Sequence, residues 1–71
     1  MMEIQTYTIL LRGQIDPQEI GATSPMHMKI TRVDTQSTRL EVLTDQSGII
    51  GLLRYLHGRG FVILSVYCEE I

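Results

Sequence analysis

The chain has no tryptophan, one cysteine (Cys68), one phenylalanine and two prolines. A single thiol cannot close an intrachain disulfide, so folding rests on packing, and nothing in the cysteine usage points to an oxidising compartment. Basic residues are scarce as well: six Lys and Arg against eight Asp and Glu leave a net charge of −2. That number of scattered cations does not make the basic stripe of a nucleic-acid binder. Three tyrosines and one phenylalanine are also too sparse for the paired aromatic platforms on which RNA bases stack. No apolar run approaches the roughly 20 residues of a membrane-spanning helix. The opening MMEIQTYTILLRG has neither the basic n-region nor the small-residue cleavage site of a secretory signal. The expectation is a soluble cytoplasmic protein with no membrane or nucleic-acid partner.

What is present is an ordinary globular composition, 44% apolar and 20% charged, which argues against disorder. No linker, repeat or low-complexity tract divides it, so residues 1–71 read as one domain. A chain this short buries only roughly 60% of the surface its unfolded form exposes, and self-association is a common remedy for the thin stability that results.

The best-organised stretch is DQSGIIGLLRYLHGRG, residues 45–60. Asp45 or Ser47 suits an N-cap. Ile49, Leu52, Leu53 and Leu56 recur at i, i+3, i+4 and i+7, the stripe of an amphipathic helix. Gly58 and Gly60 end it, and His57 and Arg59 sit where the helix dipole favours cations. The spacing predicts a helix over 46–57, with Leu52, Leu53 and Leu56 buried. Around it, alternation of apolar and polar residues predicts strands. Ile4–Arg12 has Tyr7, Ile9 and Leu11 on one face. Met26–Asp34 has Met26, Met28 and Ile30 inward. Thr38–Thr44 has Leu40 and Val42 inward. Phe61–Tyr67 is apolar on both faces, with Val62, Leu64 and Val66 on one and Phe61, Ile63 and Tyr67 on the other. The short polar link Asp34–Ser37 makes 26–44 an antiparallel hairpin with Ile30 near Leu40 or Val42. Between the first two strands, DPQE (residues 16–19) starts one helical turn that Gly21 stops.

The order of elements is therefore β, one helical turn, β, β, α, β. With the turn counted as a reduced first helix, this is the split βαβ pattern of ferredoxin-like α+β folds: a four-stranded antiparallel sheet with one main helix on one face.

Residues 43–66, LTDQSGIIGLLRYLHGRGFVILSV, resemble the C-terminal half of a group of short bacterial proteins. These share an Asp-Gln, a Gly-Leu-Leu within a helix, a helix-ending glycine and a Leu-Ser-Val strand; the resemblance brings no activity with it. The order of elements is also similar to that of ACT domains, small regulatory modules that bind amino acids and pair edge to edge. The ACT resemblance implies a ferredoxin-like sheet and a small-ligand sensor as one functional reading.

Candidate sites are few. Gly51 lies where a helix prefers almost any other residue, at a cost of about 1 kcal/mol against alanine. Either the helix backbone passes close to the sheet or to a second copy at Gly48 and Gly51, or a phosphate or other ligand approaches the helix start. SGIIG lacks the pattern of a phosphate-binding loop. His27, His57 and Cys68 are the soft metal ligands, and their spacing fits no zinc motif. No acid–base pair, nucleophile, cofactor or metal set emerges, so no catalytic residue is assigned. Arg12, Lys29, Arg32 and Arg39 are placed on the outer face of the sheet as a weak basic patch. The last strand falls at a sheet edge without lysine or proline to protect it. The reading is a non-enzymatic, self-associating binding or regulatory module, with the ACT-like small-ligand sensor as the alternative. The partner is a second copy of the chain, joined through Phe61, Ile63 and Tyr67 at the edge or through Gly48 and Gly51 on the helix, with Tyr55 as a rim residue or an interface anchor.

Overall fold

In the computed structural model, which describes residues 4–16 and 28–69, four strands and one helix follow in the order β1 (Gln5–Arg12), β2 (Met28–Val33), β3 (Ser37–Thr44), α1 (Gln46–Gly58) and β4 (Ile63–Glu69). The strands form one antiparallel sheet in the order β2-β3-β1-β4. This α+β arrangement is ferredoxin-like, with β2 and β4 at its edges. The helical turn expected at residues 16–19, its stop at Gly21, and Met26 and His27 lie outside the described residues, except for Asp16, which is exposed.

Register decides the faces. In β1, Tyr7, Ile9 and Leu11 lie opposite Val42, Leu40 and Thr38 of β3, and Met28 and Ile30 of β2 lie opposite Val42 and Leu40. These residues look toward α1. Ile9, Leu11, Leu40 and Val42 are essentially inaccessible, and Ile49, Leu52 and Leu56 close over them from the helix. Leu53 is only half-buried, against the full burial its spacing predicts. A single helix over a sheet covers a stripe narrower than its own apolar arc, and Leu53 lies at the margin of that stripe.

The helix ends are satisfied by short-range bonds. The Asp45 carboxylate accepts from the Gly48 N–H at 2.7 Å, which fills one of the donors a first turn leaves free. At the other end the Gly60 N–H donates to His57 C=O and the Phe61 N–H to Leu56 C=O. That pair of bonds is a Schellman motif. It requires a left-handed residue, and Gly60 supplies it with φ 90°. Because Phe61 is spent on this cap, β4 begins at Ile63, later than the predicted Phe61, and continues through Cys68 and Glu69.

Two features of the core were not visible in the alternation. Ile15, in the loop after β1, is buried. It is held there by Thr38, whose hydroxyl accepts from the Ile15 N–H at 3.0 Å and donates to Gly13 C=O at 2.8 Å. Thr38 is itself fully buried, so these bonds satisfy a hydroxyl that would otherwise be orphaned. The second feature is a bulge in β4. Leu10 pairs with Ser65 but Leu11 pairs with Ile63, which leaves Leu64 as the extra residue. Ile63 and Val66 therefore share the helix side, and the simple two-face division of FVILSVY does not hold. Only Ser65, Tyr67 and Glu69 share the open side with Leu10, Thr8 and Thr6.

Candidate functional site

Three regions carry the residues that the sequence singled out. The first is the outer edge of β4. The Arg12 N–H donates to Val62 C=O at 2.9 Å, which phases the ladder between β1 and β4. Backbone groups in an antiparallel strand alternate sides, so Arg12, Leu10, Thr8 and Thr6 turn theirs toward β4. Their partners Ser65, Tyr67 and Glu69 turn theirs toward β1. The N–H and C=O groups of Val66 and Cys68 then point away from the sheet, and no described strand lies beyond them. Around this edge the side chains of Val62, Leu64, Val66 and Tyr67 are 37–48% exposed. A groove of about 410 Å³, lined by His57, Gly60, Phe61, Val62 and Ile63, opens at the start of the strand.

The opposite edge is built differently. β2 carries Lys29 and Arg32, and it is bulged where Ile30 pairs with Leu40 and Arg32 with Arg39. Charges and a bulge both discourage a further strand. β4 has one bulge, at Leu64, and the stretch from Ser65 to Cys68 carries no charge.

The second region is the surface of α1. Gly51 is exposed, and a Cβ built there meets nothing within 4 Å among the described residues. The close approach of the helix to its own sheet expected at Gly51 does not occur. It occurs one turn earlier, at Gly48, where a Cβ would collide with the Thr44 hydroxyl and lie 3.2 Å from the Asp45 carboxylate. The same Asp45 cap that starts the helix leaves no room there for a side chain. Tyr55 is half-buried against the core, with the Arg59 guanidinium 5.8 Å above its ring centre. Phe61 and Ile63 are also half-buried and packed on the core. Of the six residues predicted at an interface, only Gly51 and Tyr67 are exposed.

The third region is the open face of the sheet, where register places Arg12, Lys29, Arg32 and Arg39. Strict alternation would set Arg32 with Met28 and Ile30 on the helix side, and the bulge after Ile30 turns it to the open face. Lys29 lies opposite Glu41, whereas Arg32 lies opposite Arg39. A concavity of about 250 Å³ is lined by Leu10, Arg32, Asp34, Ser37 and Arg39. Asp34 organises the adjoining hairpin. Its Oδ1 accepts from the N–H groups of Gln36 and Ser37 at 3.1 and 3.0 Å and from the Ser37 hydroxyl at 3.3 Å. These bonds, the Gln36 N–H foremost, hold its pKa below the usual 3.8. No non-glycine residue among those described has a positive φ, so the two-residue turn relies on this side-chain anchor.

Among the described residues no group of three His, Cys, Asp or Glu side chains is placed to hold a metal ion. Cys68 is half-buried and its thiol donates to the Gln5 side-chain oxygen at 2.9 Å. No helix among the described residues is long and apolar enough to cross a membrane. The chain matches no protein-family model, no curated protein and no solved structure.

Proposed function

We propose that the protein is a non-enzymatic module that works by self-association, two copies joining antiparallel along β4 about a two-fold axis. The observation that carries this reading is the unguarded edge. Val66 and Cys68 present backbone donors and acceptors outward, in the middle of exposed Val62, Leu64, Val66 and Tyr67. A two-fold axis makes such an edge complementary to itself. The groove at Phe61 and Val62 adjoins the strand and extends the area a partner covers. Stable interfaces bury about 1,200–2,000 Å², more than one short strand supplies, so the association is concentration-dependent.

Sedimentation velocity over a wide range of concentration tests this. Val66→Pro removes only an outward N–H, because the Val66 amide makes no bond to β1. It should leave a folded monomer. Tyr67→Lys places a charge at the same edge and should weaken the dimer without touching the ladder. Ile63 is not a useful probe, since it packs on the core. If Gly51→Leu dissociates the dimer and the β4 variants do not, the helix is the interface. A wild-type monomer at every concentration ends the proposal.

The strand order also supports a second reading, an ACT-like sensor of amino acids. A ligand that binds only the native state at 100 times its Kd stabilises it by about 2.7 kcal/mol. A thermal-shift screen with amino acids that yields no stabilising compound excludes this reading.

A further inference from the structure

We infer that the Arg32–Arg39 end of the open face is a binding site for a small phosphate-bearing molecule. The first observation is that the sheet sets like charges against each other. Arg32 and Arg39 are direct cross-strand partners on one face, an arrangement that destabilises a strand pair. Arg12 adds a third guanidinium on that face, two positions along β1 from Leu10 and opposite Ser37. Glu41 lies opposite Lys29 in register, and among the described residues no ion pair joins it to Arg32 or Arg39.

The second observation is the backbone. The β2 bulge falls at this place, between Ile30 and Arg32, and a bulge re-aims the side chains beside it. Here it brings the two arginines onto the rim of one concavity of about 250 Å³, with Leu10, Asp34 and Ser37 forming the rest of the wall. The volume lies below the roughly 300–1,000 Å³ of ordinary ligand pockets, which suits one phosphate group with a small substituent.

The third observation is charge. Asp34 is the one carboxylate on the rim, and its Oδ2 stands 3.8 Å from Arg32 Nε. Its Oδ1 is occupied by the turn. Among the described residues Arg12 and Arg39 have no acidic partner within 4 Å. Two guanidinium groups and one carboxylate on the wall leave one positive charge, and Arg12, on the same face but not lining the concavity, adds a second. Planar guanidinium forks bind phosphate oxygens in pairs.

The test is a titration of the full-length protein with inorganic phosphate, followed by amide chemical shifts, beside sodium chloride and sodium acetate at equal ionic strength. Phosphate should move the amides of Arg32, Ser37 and Arg39 saturably, and the other two salts should not. Arg39→Gln should raise the phosphate Kd at least tenfold, and Arg39→Lys nearly as much, because an ammonium cannot form the fork. Arg54→Gln, an exposed arginine on the helix, should leave the Kd unchanged. Equal shifts with chloride or acetate reduce the cluster to general screening and overturn the site, as does an Arg39→Gln variant that binds phosphate like the parent. Val66→Pro should bind phosphate normally, so failure of the edge-paired dimer and failure of this site are separate results.

Discussion

Gly51→Ala should make the protein more stable. Glycine in a helix interior is about 1 kcal/mol less favourable than alanine, chiefly because its unfolded chain has more conformations to lose. A native contact that the new methyl would disturb normally offsets that gain. Among the described residues there is none at Gly51: the position is exposed and a Cβ there meets no atom of theirs within 4 Å. The full propensity difference should therefore appear, about 0.5–1 kcal/mol. For a domain of this size each kcal/mol moves Tm by about 4–8 °C, so the expected rise is roughly 2–8 °C. Far-UV circular dichroism during heating, at protein concentrations low enough to keep the chain monomeric, reads it directly. Gly48→Ala is the internal control and should destabilise, because its methyl collides with the Thr44 hydroxyl. A Tm for Gly51→Ala at or below that of the parent would refute the reasoning, since it would mean the space beside the helix is occupied in the monomer.

Leu56→Ala should cost about 2–5 kcal/mol, because Leu56 is fully enclosed; Leu53→Ala, half-buried, should cost less than about 2 kcal/mol, and urea unfolding with equal costs would contradict the helix orientation. Thr38→Val keeps the shape but strips the acceptor from the buried Ile15 N–H, a loss of about 1–3 kcal/mol, with faster hydrogen exchange at Ile15 as its local signature. Asp34 should titrate below the ordinary carboxylate value, because the N–H groups of Gln36 and Ser37 favour its charged form. The folded carboxyl binds its proton less readily than the unfolded one, so its contribution is present above pH 3.8 and disappears as pH falls through the lowered value. An Asp34 side-chain titration by NMR that gives 3.8 or higher removes the proposed anchor of the β2–β3 turn.

Much of this fold is legible in local pattern. The 3.6-residue recurrence of Ile49, Leu52 and Leu56, the Asp45 cap and the Gly60 stop each depend on neighbours a few residues away. A sequence records such neighbours directly, and the helix falls where they put it. The alternation in Met28–Val33 and Ser37–Thr44, joined by a short polar link, likewise implies the Ile30 to Leu40 pairing that the hairpin has. It also places Arg12, Lys29 and Arg39 on the open face, whereas Arg32 joins them only through the β2 bulge.

The rest depended on contacts between distant parts of the chain. The β4 bulge arises from how that strand seats on β1, and it moves Ile63 to the core side while Tyr67 stays on the open one. Ile15 is buried because Thr38, 23 positions later, clamps its loop, a bond that no periodicity announces. Composition and pattern thus determined the elements, their order and the apolar stripe that makes the core, since those follow from backbone geometry and the cost of wetting apolar surface. Tertiary structure decided which residues the β4 bulge turns to the core, which strand edge is left unguarded and that Ile15 is buried. Those properties belong to pairs of residues far apart in the chain, whose separation in space is set only when the sheet closes.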